Sequence, residues 1–146
     1  MRKLLLFLFC LTALSGYAQT EPAFKVPATA LSQLEDLKEL TKGEAVSGKH
    51  KGKLQPELDP ELNRWLVISA DDFVRVTTGG MPTKEAYLKC IDRGLGRLAP
   101  LTHDRADRQQ IAEFYQELME IVGLDSSGGR LIAFAKPPAA AAAASR

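Results

Sequence analysis

The 146-residue chain predicts an all-α fold: a compact antiparallel bundle of about four helices, with a short apolar segment at its C-terminal end. Three observations point to it. Leucines and aromatics recur at intervals of three and four in four separate windows, the period of a helix with one buried face. Each window has capping or proline signals at its start and a glycine or proline at its end. The connections are short, and no repeat of 20–50 residues suggests a solenoid instead.

Taken in order, residues Gln19 to Ala28 carry Pro22 and Pro27 and are expected to run extended into the first helix. Ser32 with Glu35 three residues later matches a capping box, followed by the stripe Leu31, Leu34, Leu37, Leu40. Gly43 stops this helix. The stretch from Gly43 to Pro56 holds Gly48, Gly52 and three lysines with few apolar residues, and reads as a loop.

Asp59-Pro60 starts the second helix, an acceptor at the N-cap and proline at the first helical position. Leu62, Trp65, Leu66, Ser69, Phe73 and Val76 form its core face, and Gly79-Gly80 ends it. Pro82-Thr83 opens the third helix, with Tyr87, Leu88, Ile91, Leu95 and Leu98 ahead of Pro100. Its edge repeats Ala86, Cys90 and Gly94 at intervals of four, a row of small residues over which another helix packs closely. Gly94 and Gly96 each cost roughly 1 kcal/mol relative to alanine, so an early break is expected here.

The fourth window is the clearest. Asp104 and Asp107 sit in its first turn, where negative charge favours the helix dipole. Ile111, Phe114, Tyr115, Leu118, Met119, Ile121 and Val122 make a broad apolar face, and Gly123-Leu124 predicts a Schellman ending. Ser126-Ser127-Gly128-Gly129 is a turn, and Leu131 to Phe134 is a closing segment readable as helix or strand. Pro137-Pro138, six alanines and Ser145-Arg146 form a low-complexity tail.

Residues 1–18 read as a signal peptide: Arg2 and Lys3, then an apolar run from Leu4 to Leu14, then Gly16 and Ala18 before the cut. An eleven-residue run is short of the roughly 20 residues that span a bilayer. The expected organisation is therefore a leader over 1–18, one helical domain over 19–136, and an alanine-rich tail over 137–146. Export to the periplasm or the exterior follows, with no transmembrane segment after cleavage. Removing eighteen of the 146 residues leaves 128, enough for one domain with a real core. Cys10 leaves with the leader, so Cys90 is the only remaining thiol and no internal disulfide forms. Taking Arg2 and Lys3 from the 19 basic residues leaves 17 against 18 acidic ones. That balance argues against a nucleic-acid partner.

The densest polar stretch is Leu101-Thr102-His103-Asp104-Arg105-Ala106-Asp107-Arg108. A catalytic reading makes His103 a base oriented by Asp104 or Asp107; a metal reading pairs His103 with Asp107 on one helical face. No third ligand is near in sequence, and His50 lies in the loop, so neither a metal nor a cofactor is expected. The favoured reading is a helix cap, with Asp104 paired to Arg108 at i,i+4. Arg105, Arg108 and the Ser126, Ser127, Gly128, Gly129 turn remain candidate binding groups; the turn would offer backbone N–H groups to an anion. Cys90 reads as a buried small hydrophobe rather than a nucleophile, Trp65 as core, and Lys49-His50-Lys51-Gly52-Lys53 as a solvated loop rather than a lipid contact.

Leu62-Asn63, Tyr87-Leu88, Gly94-Leu95, Asp104 to Arg108, Phe114-Tyr115, Leu118-Met119 and Gly123 to Gly129 together resemble a small bacterial family, domain of unknown function 4844. The resemblance covers about half of the chain, is strongest over Leu101–Phe134, and leaves out the lysine-rich loop and the alanine tail. It implies a compact helical domain and carries no catalytic residues with it.

The functional expectation is a binding protein rather than an enzyme, with another extracytoplasmic protein as partner, in the manner of inhibitors and immunity proteins. Two alternatives belong to other classes. One is a small extracytoplasmic hydrolase using the His103 region; the other is a small-ligand carrier with a pocket between helices. Oligomeric state is left open by the sequence.

Overall fold

Pro27 sets where the first helix begins. The computed structural model describes residues 24–42 and 60–136. The leader with Cys10, the Lys49–Lys53 run with His50, Asp59, and the tail from Pro137 lie outside the described residues. In the described chain, the Ala30 N–H already bonds the Pro27 carbonyl at 3.0 Å, and α1 spans Ala30–Thr41. Ser32 therefore lies inside the helix, and its hydroxyl donates back to the Thr29 carbonyl instead of capping. The capping box was the wrong reading, and Thr29 occupies the N-cap position. Glu35 pairs with Lys38 rather than with the cap. The buried face is Ala30, Leu34, Leu37 and Thr41, so Leu31 is left 41% exposed.

α2 spans Pro60–Thr78 and α3 spans Lys84–Leu98. Thr83 caps α3, accepting from the Ala86 N–H at 3.1 Å. Four contacts run in opposite order along the two helices: Thr77 to Tyr87, Asp72 to Cys90, Ser69 to Gly94, and Trp65 to Arg97. They are antiparallel neighbours. α3 does not break at its glycines but runs to Leu98, followed by a 3₁₀ turn over Ala99–Leu101. Burial of Cys90, Ile91, Leu95 and Leu98 outweighs the weak propensity of Gly94 and Gly96.

α4 spans Arg105–Val122, with Asp104 as N-cap. Gly123 closes it in the left-handed region at φ 75°, and the Leu124 N–H reaches the Met119 carbonyl at 2.8 Å, the Schellman geometry. Buried Leu124 supplies the hydrophobic contact. Arg130–Ala135 is helical, α5, which settles the type of the closing segment. α1 packs on α2 and α4, α2 on α3, and α5 on α4 and α3. One apolar cluster joins all five helices, centred on Phe73, Tyr87, Ile91, Phe114, Tyr115 and Leu118. The described regular structure is entirely helical, and no described helix is long and apolar enough to cross a membrane.

Candidate functional site

The polar stretch at 102–108 separates into parts with different jobs. Asp104 Oδ1 accepts from the Asp107 N–H at 2.8 Å, which satisfies one of the donors that a helix start leaves without an intrahelical partner. Thr102 is buried, with its hydroxyl on the Ala99 carbonyl. His103 lies exposed ahead of the cap, outside the helix, so it and Asp107 are not successive turns of one face. Arg108 does not pair with Asp104. Its guanidinium donates to the Phe134 carbonyl at 3.1 Å and to the Ala99 carbonyl at 3.4 Å, and lies 5.0 Å from the centre of the Phe134 ring. The Phe134 carbonyl lies in the last turn of α5, where no helical donor follows, and the partly buried guanidinium supplies one. Arg108 is a latch.

The Ser126–Gly129 turn likewise spends its groups on itself. Gly128 and Gly129 both have positive φ, 62° and 82°. The Gly128 N–H donates to Ser126 Oγ at 3.0 Å, and the Leu131 N–H to Ser127 Oγ at 3.5 Å. Arg130 then fixes the start of α5, donating from Nε to Asp92 Oδ1 on α3 at 2.6 Å and from Nη1 to the Ser127 carbonyl at 2.9 Å. Asp92 beside it raises the Arg130 pKa.

Helix α5 is thus held at both ends, by Arg130 and by Arg108. Between the two clamps it stands against α4 over an open groove of about 550 Å³. Ala112, Leu131, Ile132 and Ala135 make the apolar lining; Arg105, Gln109, Glu113, Gln116 and Lys136 supply the polar groups. Ile132 is 67% exposed. Two amides along α4 are oriented by neighbours one turn on, Gln109 by Glu113 and Gln116 by Glu120, both at 3.2 Å. Of the sequence candidates, the groove takes in Arg105 but not His103, Arg108 or the serines. The groove itself was not anticipated. Its one sequence signal was Ile132, an apolar residue rotated off the Leu131/Phe134 face of a short segment.

A second polar constellation lies between α2, α3 and α4. The Tyr115 hydroxyl donates to Ser69 Oγ at 2.7 Å, directly over Gly94, and burial holds its pKa far above the ordinary tyrosine value. Cys90 is buried, its thiol on the Asp72 carbonyl at 3.8 Å; burial, then the Asp72 charge, raises its pKa. A thiol held protonated is a poor nucleophile, as expected of a packing residue. Trp65 is only half-buried, packed at the edge of the core with the Arg97 guanidinium over its ring at 5.4 Å. Among the described residues, no buried side-chain nitrogen or oxygen lacks a partner, and no group of three His, Cys, Asp or Glu could hold a metal.

The parts that repeat the family resemblance are therefore joints: the Asp104 cap, the Arg108 latch, the Gly94–Tyr115 contact and the glycine turns. A family model covers residues 25–137. The chain belongs to the family Domain of unknown function (DUF4844). The match extends further than the resemblance read from sequence, taking in α1 and the lysine-rich loop that the resemblance left out. No curated protein and no solved structure matches the chain.

Proposed function

We propose that this DUF4844 protein is an exported binding protein that takes a segment of another extracytoplasmic protein into the α4/α5 groove, as an inhibitor or immunity-type factor. The observation that carries the reading is a groove whose walls are fixed before anything binds. Arg108 and Arg130 hold α5 at its two ends, so the backbone that presents the exposed Ile132 is ordered before a partner binds. Rigid walls, an apolar lining and a rim of amides and charges suit an anchor side chain surrounded by polar contacts. An open groove suits a passing segment better than an enclosed small molecule, which favours a partner protein over a carrier role. The hydrolase reading gains no support here, since His103 does not line the groove.

The test is capture from an envelope extract, identification of the captured protein, and titration of the two purified components. Ile132→Asp places a charge where an apolar anchor would sit, and should weaken the complex at least about tenfold while leaving the thermal midpoint unchanged. A complex indifferent to Ile132→Asp and Gln109→Ala overturns the groove reading.

A further inference from the structure

Asp72 is a carboxylate in an unusual position, because α2 buries it and α3 covers it with two arginines. Its side chain is only 8% exposed. The Arg97 Nη1 donates to Asp72 Oδ2 at 3.3 Å, and the Arg93 Nη1 stands 3.7 Å from the same oxygen. One negative charge thus faces two positive ones. Both arginine side chains remain partly in solvent, 52% exposed for Arg93 and 32% for Arg97. Arg97 is further fixed by the Trp65 ring beneath it. Lys89, also exposed, lies one turn before Arg93 on the same row of α3.

We propose that Arg93 and Arg97 form a preformed receptor for the carboxylates of an acidic segment of a partner protein. A guanidinium binds a carboxylate through two parallel N–H donors, and here a shared buried anion holds the Arg97 fork by a hydrogen bond and attracts the Arg93 fork to the same oxygen. Holding the arginines in place removes much of the ordering cost that makes exposed ion pairs weak. The row from Lys89 to Arg97 is about 12 Å long at 1.5 Å per residue, the span of a few acidic side chains. Glu85 lies one turn before Lys89 on the same row of α3 and ends the basic strip there, which disfavours a polyphosphate backbone that needs an extended positive field. The site lies on α2 and α3, apart from the α4/α5 groove, and either can fail without the other.

The chain contains a single tryptophan, Trp65, so its fluorescence reports directly on the Arg97 guanidinium. The purified protein is titrated with an end-blocked Glu-Glu-Gly-Gly-Glu-Glu peptide, its all-glutamine counterpart, and oligothymidylate. The expected result is a saturable change in emission with the glutamate peptide alone, weakening as salt rises. For the variants, which alter the Arg97–Trp65 contact itself, binding is read by isothermal titration calorimetry, and Arg93→Gln with Arg97→Gln should abolish it. Arg93→Lys with Arg97→Lys keeps both charges over Asp72, so the fold is retained, yet should bind at least about fivefold more weakly because an ammonium is a point charge. Equal binding by the lysine variant or the glutamine peptide overturns the proposal, as does tighter binding of oligothymidylate. So does the absence of any saturable change up to about 10 mM glutamate peptide, about ten times the Kd of a 1 mM contact. Ile132→Asp should leave this titration untouched.

Discussion

The seam between α2, α3 and α4 and the corner between α4 and α5 are built on opposite plans. In the seam, Gly94 lets Tyr115 and Ser69 meet over the α3 backbone, and every buried side-chain nitrogen and oxygen there has its partner inside the protein. In the corner, two arginines hold a six-residue helix by its ends, and an open groove with an exposed isoleucine is left between. Packing fixes the first region, and latches fix the second. The interior of a close-packed seam has no room for a ligand, which can reach only its charged rim. A latched corner keeps its shape while leaving surface unspent, which is what a binding site requires.

The sharpest way to break this contrast is at Gly94. A Cβ there would run into the Tyr115 hydroxyl and lie 2.9 Å from Ser69 Oγ and from Tyr115 Cζ. Gly94→Ala should destabilise by about 3 kcal/mol, despite the better helix propensity of alanine, because overpacking wins. Tyr115→Phe removes the atom that clashes hardest, at a cost of about 1 kcal/mol for the lost hydrogen bond. Gly94→Ala should therefore cost less in the Tyr115→Phe background, a coupling that urea denaturation of the four proteins measures. Additive losses would mean that the hydroxyl contact does not govern the seam.

The corner should respond differently. Arg108→Met keeps the aliphatic stem but removes the donors to the Phe134 and Ala99 carbonyls, and should cost about 2 kcal/mol. The loss should be local. Hydrogen exchange in α5 should accelerate while the amides of α2 and α3 keep their protection. Uniform acceleration through all five helices would show that the corner is continuous with the core and not a separately latched element.

The seam was legible in the sequence and the corner was not, for a physical reason. Ala86, Cys90 and Gly94 recur at helical spacing, and Thr83, Asp104 and Gly123 are local signals whose partners lie within a few residues. Arg108 instead finds carbonyls nine and 26 residues away, and no spacing rule connects it to them. A nearby Asp104 made the i,i+4 pair the natural reading. Ser32 misled in the same way: its capping pattern is local, but burial of Ala30 and the turn at Pro27 moved the helix start upstream. Asp72 was invisible as well, since an acidic residue next to Asp71 on an amphipathic helix gives no sign that one of them is buried.

The smallest expected effect separates a cap from a catalytic centre within the polar stretch. Asp104→Ala removes the acceptor of the Asp107 N–H and should cost about 1 kcal/mol. His103→Ala removes an exposed side chain one residue ahead of that cap, and should shift stability by no more than about 0.5 kcal/mol. The pair also bears on binding. Arg105 lies in the first turn of α4 and lines the groove, so fraying at Asp104 should loosen that end and weaken partner binding in step with stability. His103→Ala should leave both unchanged. Were His103 a base or a ligand, the order would invert: His103→Ala would abolish function with the melting temperature intact, and metal bound by the wild type would be lost with it. Thermal melts and partner titration on the two variants, with metal analysis of the purified protein, separate these outcomes, because a cap acts through the helix it starts and a catalytic histidine does not.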